Sequence, residues 1–194
     1  ISRLDRYIWE QAAAKLGEWK KAGINMSISV NISPKDFYYI DIFNTFAGLI
    51  KKYDIEPSNL KIEITETTIM SDVPNLMGEL EELRKAGFTL EMDDFGSGYS
   101  SLNTLKDINV DVLKVDMGFI KETKNVKKSR IILASVIKMA KELNLLIITE
   151  GVETEEQVDN LTKLGCDVFQ GYYFSKAIDV NEFEKRYLYR KKAG

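Results

Sequence analysis

Apolar positions along the 194-residue chain follow two alternating periods. Short runs rich in β-branched residues, at 26–32, 60–65, 89–92, 112–115, 145–149 and 168–169, predict strands. Between them a 3.6-residue period predicts helices over 4–22, 42–53, 73–86, 129–143, 155–164 and 180–189, with a shorter helical turn at 100–106. Gly23, Gly87 and Gly165 each stand where a helix must stop before a strand, and Ser2 with Asp5 has the spacing of a capping box. No repeat, low-complexity stretch or Pro/Gly-rich linker divides the chain, which predicts one domain over residues 1–194.

Strand–helix alternation predicts an α/β fold with a parallel sheet and helical crossovers. An open doubly wound sheet and a (β/α) barrel both satisfy it, and the polar residues favour the barrel. Each predicted strand ends in a side chain able to bind something: Asn31, Glu63 with Glu66, Asp93 with Asp94, Lys114 with Asp116, Glu150 with Glu153, and Gln170. A doubly wound sheet concentrates function at one switch point, whereas a barrel draws it from nearly every strand end.

Composition then narrows the chemistry. The chain has no histidine, which excludes His-based triads, zinc sites of the HExxH type and imidazole bases. A single cysteine, Cys166, allows no intrachain disulfide and suits a reducing, cytoplasmic setting. The net charge of -3 argues against a polymeric nucleic-acid partner. No run of about 18 apolar residues exists, so no membrane insertion by this segment is expected, whatever tether the parent protein carries. The chain opens at Ile1, directly in a helical pattern, as an excised piece of a longer protein would.

A ring of carboxylates with one amide is an oxygen-rich site suited to Mg²⁺, Mn²⁺ or Ca²⁺. Asp93-Asp94 at a strand end could let one carboxylate bridge two cations while the other binds one, an arrangement used for in-line phosphoryl displacement. Taken alone, such a pair is more often a solvated turn. The following segment, Phe95-Gly96-Ser97-Gly98-Tyr99-Ser100-Ser101, is a Gly-rich turn feeding a helix, able to receive an anion. Lys114 alternates with Leu113 and Val115 and so faces the barrel interior, as a catalytic cation, in a buried pair with Asp116, or as both. Trp9, Trp19 and Cys166 read as packing residues, and Arg190-Lys191-Lys192 as a solvated tail. A carboxylate-pair glycosidase is a weaker alternative, since Asn31, Lys114 and the Gly-Ser turn favour phosphate over sugar.

Together these motifs resemble the EAL domain family. The resemblance rests on Val30-Asn31-Ile32-Ser33, Glu63-Ile64-Thr65-Glu66, the segment 93–101, Leu113-Lys114-Val115-Asp116, Glu150-Gly151-Val152-Glu153 and Gln170-Gly171-Tyr172, in that order. It implies a modified (β/α)₈ TIM-type barrel that hydrolyses cyclic di-GMP, a bacterial second messenger, to linear pGpG with Mg²⁺ or Mn²⁺. The Glu-Ala-Leu motif that names the family, and one metal ligand with it, is absent, so the chain resembles the C-terminal three-quarters of such a domain, lacking about two of eight strands. By resemblance, Asn31, Glu63 and Asp93 are ligands of one metal, and Asp93 and Asp94 touch a second. Glu150 stands near the attacking water, and Lys114 holds that water or stabilises phosphorane charge. Asp116, Glu153 and Gln170 match substrate-orienting or supporting positions, while Glu66, with Ser97, anchors the loop over 94–101.

Asp36 stands where the family usually has Gln, Ser97 where Thr is commoner, and Lys176-Ala177 where Arg-Pro is usual. Glu91 adds an inward-facing carboxylate where many members have a small residue. The resemblance also implies a homodimer and an upstream sensor or diguanylate cyclase domain. The segment by itself is expected to be poorly active or inactive and self-associated or marginally soluble, with open edges at 27–32 and 168–170 and the first helix displaced to cover the gap. The alternative is a catalytically impaired module that binds cyclic di-GMP as a signalling receptor.

Overall fold

The computed structural model describes residues 2–71, 73–96, 101–116, 118, 126–166 and 168–189. Six strands form one all-parallel sheet in sequential order: β1 (Ile28–Asn31), β2 (Leu60–Thr65), β3 (Leu90–Asp93), β4 (Val112–Asp116), β5 (Leu146–Glu150) and β6 (Val168–Phe169). Sequential order with a helix after each strand is the winding of a (β/α) barrel, and the sheet curls as an open barrel. The helices are α1 (Ser2–Lys21), α2 (Pro34–Tyr39), α3 (Ile42–Tyr53), α4 (Glu66–Ile69), α5 (Leu76–Lys85), α6 (Ser101–Asp107), α7 (Val126–Glu142), α8 (Glu155–Leu164) and α9 (Val180–Phe183). The last one runs on into a π-helical turn at Glu184–Leu188.

Strand alternation sorts the side chains into two populations. Leu60, Ile62, Ile64, Leu90, Met92, Leu113, Val115 and Ile147 point outward and are buried under the helices. Their partners along each strand point inward and include nearly all the strand-end polar groups. The helices answer with Phe46, Leu80, Leu83, Ile137, Ala140 and Leu161, all buried in the same core. The Trp9 ring packs at a tilt against Phe46, centroids 5.0 Å apart, and Phe46 forms a T-shaped pair with Phe88 at 5.7 Å.

The chain's local signals work as capping chemistry predicts in several places. Asp41 caps α3 by accepting from Asn44 N at 3.0 Å. Thr154 and Gln157 form a reciprocal box at the start of α8, and Gly165 ends that helix at φ 96°.

Several boundaries differ from the sequence reading. The helical pattern over 73–86 begins only at Leu76, because Asn75 takes a left-handed φ of 55°. The pattern over 180–189 breaks after Phe183 into the π turn. The short helices α2 and α4, and a 3₁₀ turn at Pro57–Asn59, were not predicted, since segments of 6, 4 and 3 residues are too brief to display a period. Ser2 lies within α1 rather than ahead of it.

The sheet's edge strands are β1 and β6. On the outer layer α1 bridges the two ends: it packs on β1 and α3, while Trp19 Nε1 donates to Glu184 Oε1 at 2.8 Å and its ring lies 6.0 Å from Phe183. Trp9 Nε1 also satisfies the Asn31 carbonyl at the end of β1, at 3.0 Å. Both tryptophans therefore pack and also donate.

Candidate active site

The C-terminal ends of β1 to β5 bring Asn31, Glu63, Asp93, Lys114, Asp116 and Glu150 to one rim. Register does this directly: Asn31 pairs with Glu63, Thr65 with Asp93, and Asp116 with Glu150. At the centre stands Lys114, only 4% exposed. Its Nζ lies 2.9 Å from Glu63 Oε1, 3.0 Å from Glu150 Oε1 and 3.2 Å from Asp93 Oδ1. Three strands thus deliver carboxylates to one ammonium from a fourth.

The expected alternative pairing of Lys114 with Asp116 is not the one formed. Asp116 lies a full pleat further along β4, is exposed, and accepts from Gly118 N at 2.6 Å instead.

Burial by itself would pull the Lys114 ammonium down, but the hydrogen bonds it donates to Glu63 and Glu150 outweigh it and raise its pKa above that of an ordinary lysine. Burial likewise raises Glu63 and Glu150, and Lys114 only partly offsets it. Asp94 is raised by partial burial and by the charges of Asp93 and Asp116, with Lys114 acting against them. One cation among so many carboxylates leaves net negative charge at the rim.

Asp94 sits in the left-handed region at φ 56°, followed by Gly96 at φ 97°. Its backbone N–H donates to Asp93 Oδ1 at 3.0 Å, so the turn itself orients the first carboxylate. Gly151, at φ 70°, makes a similar sharp exit after Glu150.

Beside this rim a cleft of about 610 Å³ is lined by Asp116, Glu150, Glu153, Gln170, Tyr172 and Lys176, among others. Lys176 lies 5.7 Å from the Tyr172 ring centroid. These two residues were noted in the sequence only as parts of motifs; their shared cleft comes from the loop after β6 folding back. That loop is held by Val152 N donating to Gln170 O at 3.1 Å and Tyr173 N donating to Val152 O at 3.0 Å. A Cβ on Gly171 would sit 2.0 Å from the Val152 carbonyl oxygen. Gly171→Ala should therefore cost about 3 kcal/mol and disorder the cleft wall, visible as a lowered Tm and weaker ligand binding.

Not every candidate joins the cluster. Asn31 is exposed and adjoins Glu63 only through sheet register. Glu66 is 1% exposed at the start of α4, which packs on α6, the helix following the Gly-Ser turn. Ser97 and residues 98–100 lie outside the described residues, as do the basic residues 190–192. Asp36 closes the turn after β1, its Oδ2 accepting from Ser33 N at 2.9 Å and Ser33 Oγ at 2.6 Å.

Among the described residues no three His, Cys, Asp or Glu converge as ion ligands, because Lys114 stands between Glu63, Asp93 and Glu150. The donor set nevertheless fits a hard divalent cation: it is all oxygen, carries surplus negative charge and comes from rigid strand ends.

An open parallel barrel with a carboxylate–lysine rim at its C-terminal face is the layout of a TIM-type enzyme domain. The EAL domain family model matches residues 1–177, and the chain belongs to this family. MucR of Pseudomonas aeruginosa, a bifunctional diguanylate cyclase/cyclic di-GMP phosphodiesterase, is 33% identical over 183 residues, covering 94% of this chain and 27% of MucR. The signaling protein YkoW of Bacillus subtilis is 34% identical over 185 residues, covering 95% of this chain and 23% of YkoW. The chain thus spans about a quarter of the length of these relatives. The MucR phosphodiesterase structure in complex with cyclic di-GMP superposes with a TM-score of 0.85 at 32% identity, covering 93% of this chain and 74% of that one. Klebsiella pneumoniae BlrP1, in its complex with manganese and cyclic di-GMP, gives a TM-score of 0.78 at 29% identity over 90% of this chain and 44% of that one. No described helix is long and apolar enough to cross a membrane.

Proposed function

We propose that this chain is the greater part of a metal-dependent phosphodiesterase domain that hydrolyses cyclic di-GMP to linear pGpG. The observation that carries the reading is Lys114 held by Glu63, Asp93 and Glu150 at the strand ends, in a chain of the EAL family. Asn31, Glu63 and Asp93 would hold one Mg²⁺ or Mn²⁺, and Asp93 with Asp94 a second. Bound cations supply Lewis-acid charge to the phosphate oxygens and lower the pKa of the attacking water.

The chain's own groups divide the remaining work. Glu150, whose pKa is raised by burial, would take the proton of that water. The water oxygen forms the new P–O bond, one P–O3′ bond breaks, and a proton ends on the leaving 3′ oxygen. Lys114 stays charged and stabilises the negative charge that gathers on phosphorus oxygens in the transition state. Asp116, Glu153 and Gln170 line the cleft beside the rim and would orient the substrate; by family resemblance Glu66 and Ser97 would anchor the turn bearing Asp94. The domain would operate in the cytoplasm as a homodimer, in a larger protein with a sensor or diguanylate cyclase domain.

The test is chromatography of cyclic di-GMP incubated with the full-length protein that carries this domain. Conversion to pGpG in Mg²⁺ or Mn²⁺, stalled by EDTA, is expected. Intact substrate with retained binding would replace the enzyme by a cyclic di-GMP receptor.

A further inference from the structure

Beneath the catalytic rim the barrel interior carries a second charged layer. Lys61 stands two residues before Glu63 on β2, and Glu91 two before Asp93 on β3, so all four share the inward face. Lys61 Nζ donates to Glu91 Oε1 at 3.0 Å, and Ser29 Oγ donates to Glu91 Oε2 at 2.8 Å. Glu91 is 1% exposed and pairs in sheet register with Glu63. Lys61 keeps partial contact with solvent while the Glu91 carboxylate is fully buried. An apolar residue of similar volume could take the place of Glu91 without loss of stability, so a buried charge here calls for another reason. The Glu91 charge is already felt beside it, where it adds to burial in raising Glu63.

We propose that Lys61 and Glu91 are positioning residues that set the net charge beneath the cation-binding rim, Lys61 cancelling a carboxylate that would otherwise over-tighten the site. The inference rests on the metal-dependent reading above. Sheet register sets Glu91 directly beside Glu63, one strand spacing of about 4.8 Å away. Lys61 lies one pleat repeat, about 7 Å, below Glu63, and both are close enough for an unbalanced charge to change divalent affinity several-fold.

The test is Mn²⁺ titration of the full-length protein by calorimetry, without substrate. Lys61→Met, which uncovers the Glu91 charge, should tighten Mn²⁺ about fivefold, and Glu91→Gln, which uncovers Lys61, should weaken it by about the same factor. The double variant should return to within about twofold of the unaltered protein. A purely structural pair would move every variant in one direction, so opposite signs with restoration distinguish the two roles. Should Lys61→Met fail to fold, the near-isosteric Glu91→Gln decides alone, and an unweakened affinity overturns the proposal. If the unaltered protein takes up no Mn²⁺, the metal-dependent reading falls and this inference with it. If it binds Mn²⁺ while the single variants shift together or not at all, only the role of Lys61 and Glu91 is overturned.

Discussion

Replacing Lys114 by methionine is expected to lower kcat for cyclic di-GMP by about a thousandfold, the scale of losing a preorganised charge at a transition state. The same change should cost about 3–5 kcal/mol of stability without metal, because it strips the partner from buried charges. Glu63, Asp93 and Glu150 now share the Lys114 ammonium, and methionine keeps the chain length while leaving their charges to repel one another. Mn²⁺ should return part of the lost stability by compensating the same carboxylates, but none of the positive charge that Lys114 brings to the phosphoryl group. Thermal melts with and without Mn²⁺, beside steady-state turnover, read the two effects separately. Unchanged kcat would remove Lys114 from the chemistry and leave it a structural cation.

Asp94→Asn is the second large effect, with kcat expected to fall about a hundred- to a thousandfold while cyclic di-GMP affinity stays within about twofold. The backbone gives this variant its value. Asp94 occupies the left-handed region at φ 56°, where asparagine is as comfortable as aspartate, so the turn should survive. What is lost is one negative oxygen beside Asp93, and with it one cation ligand, while the cleft residues that orient substrate are untouched. Turnover is measured by chromatography in Mn²⁺, and affinity by calorimetry in EDTA. A parallel loss of affinity would instead make Asp94 a substrate ligand.

Strand and helix order, and hence the barrel class, were legible because apolar alternation must match which faces are buried. The run at 60–65, the helix at 42–53 and the helix at 155–164 are found where the periods put them. The strand-end polar residues were legible for the same reason: Glu63, Asp93, Lys114 and Glu150 occupy the inward phase of strands whose outward phase is Ile, Leu, Met and Val, with Thr149 on β5 the one polar residue. Lys61 could have been found by extending that inward phase one step below Glu63, since it too interrupts an apolar run.

The sequence by itself determined the alternation of elements, the histidine-free oxygen chemistry and the phase of each strand, because these depend on neighbours a few residues apart. Only the tertiary structure decided partnerships. It gave Lys114 to Glu63, Asp93 and Glu150, three strands distant in sequence, rather than to Asp116 two residues away. It also joined Lys61 to Glu91, set Tyr172 and Lys176 on the cleft, and used α1 to bridge the two ends of the sheet. The physical reason is register: a side chain's inward or outward direction follows from its own strand, whereas the height at which it meets another strand's side chain is set by sheet pairing and barrel curvature, which no local pattern encodes.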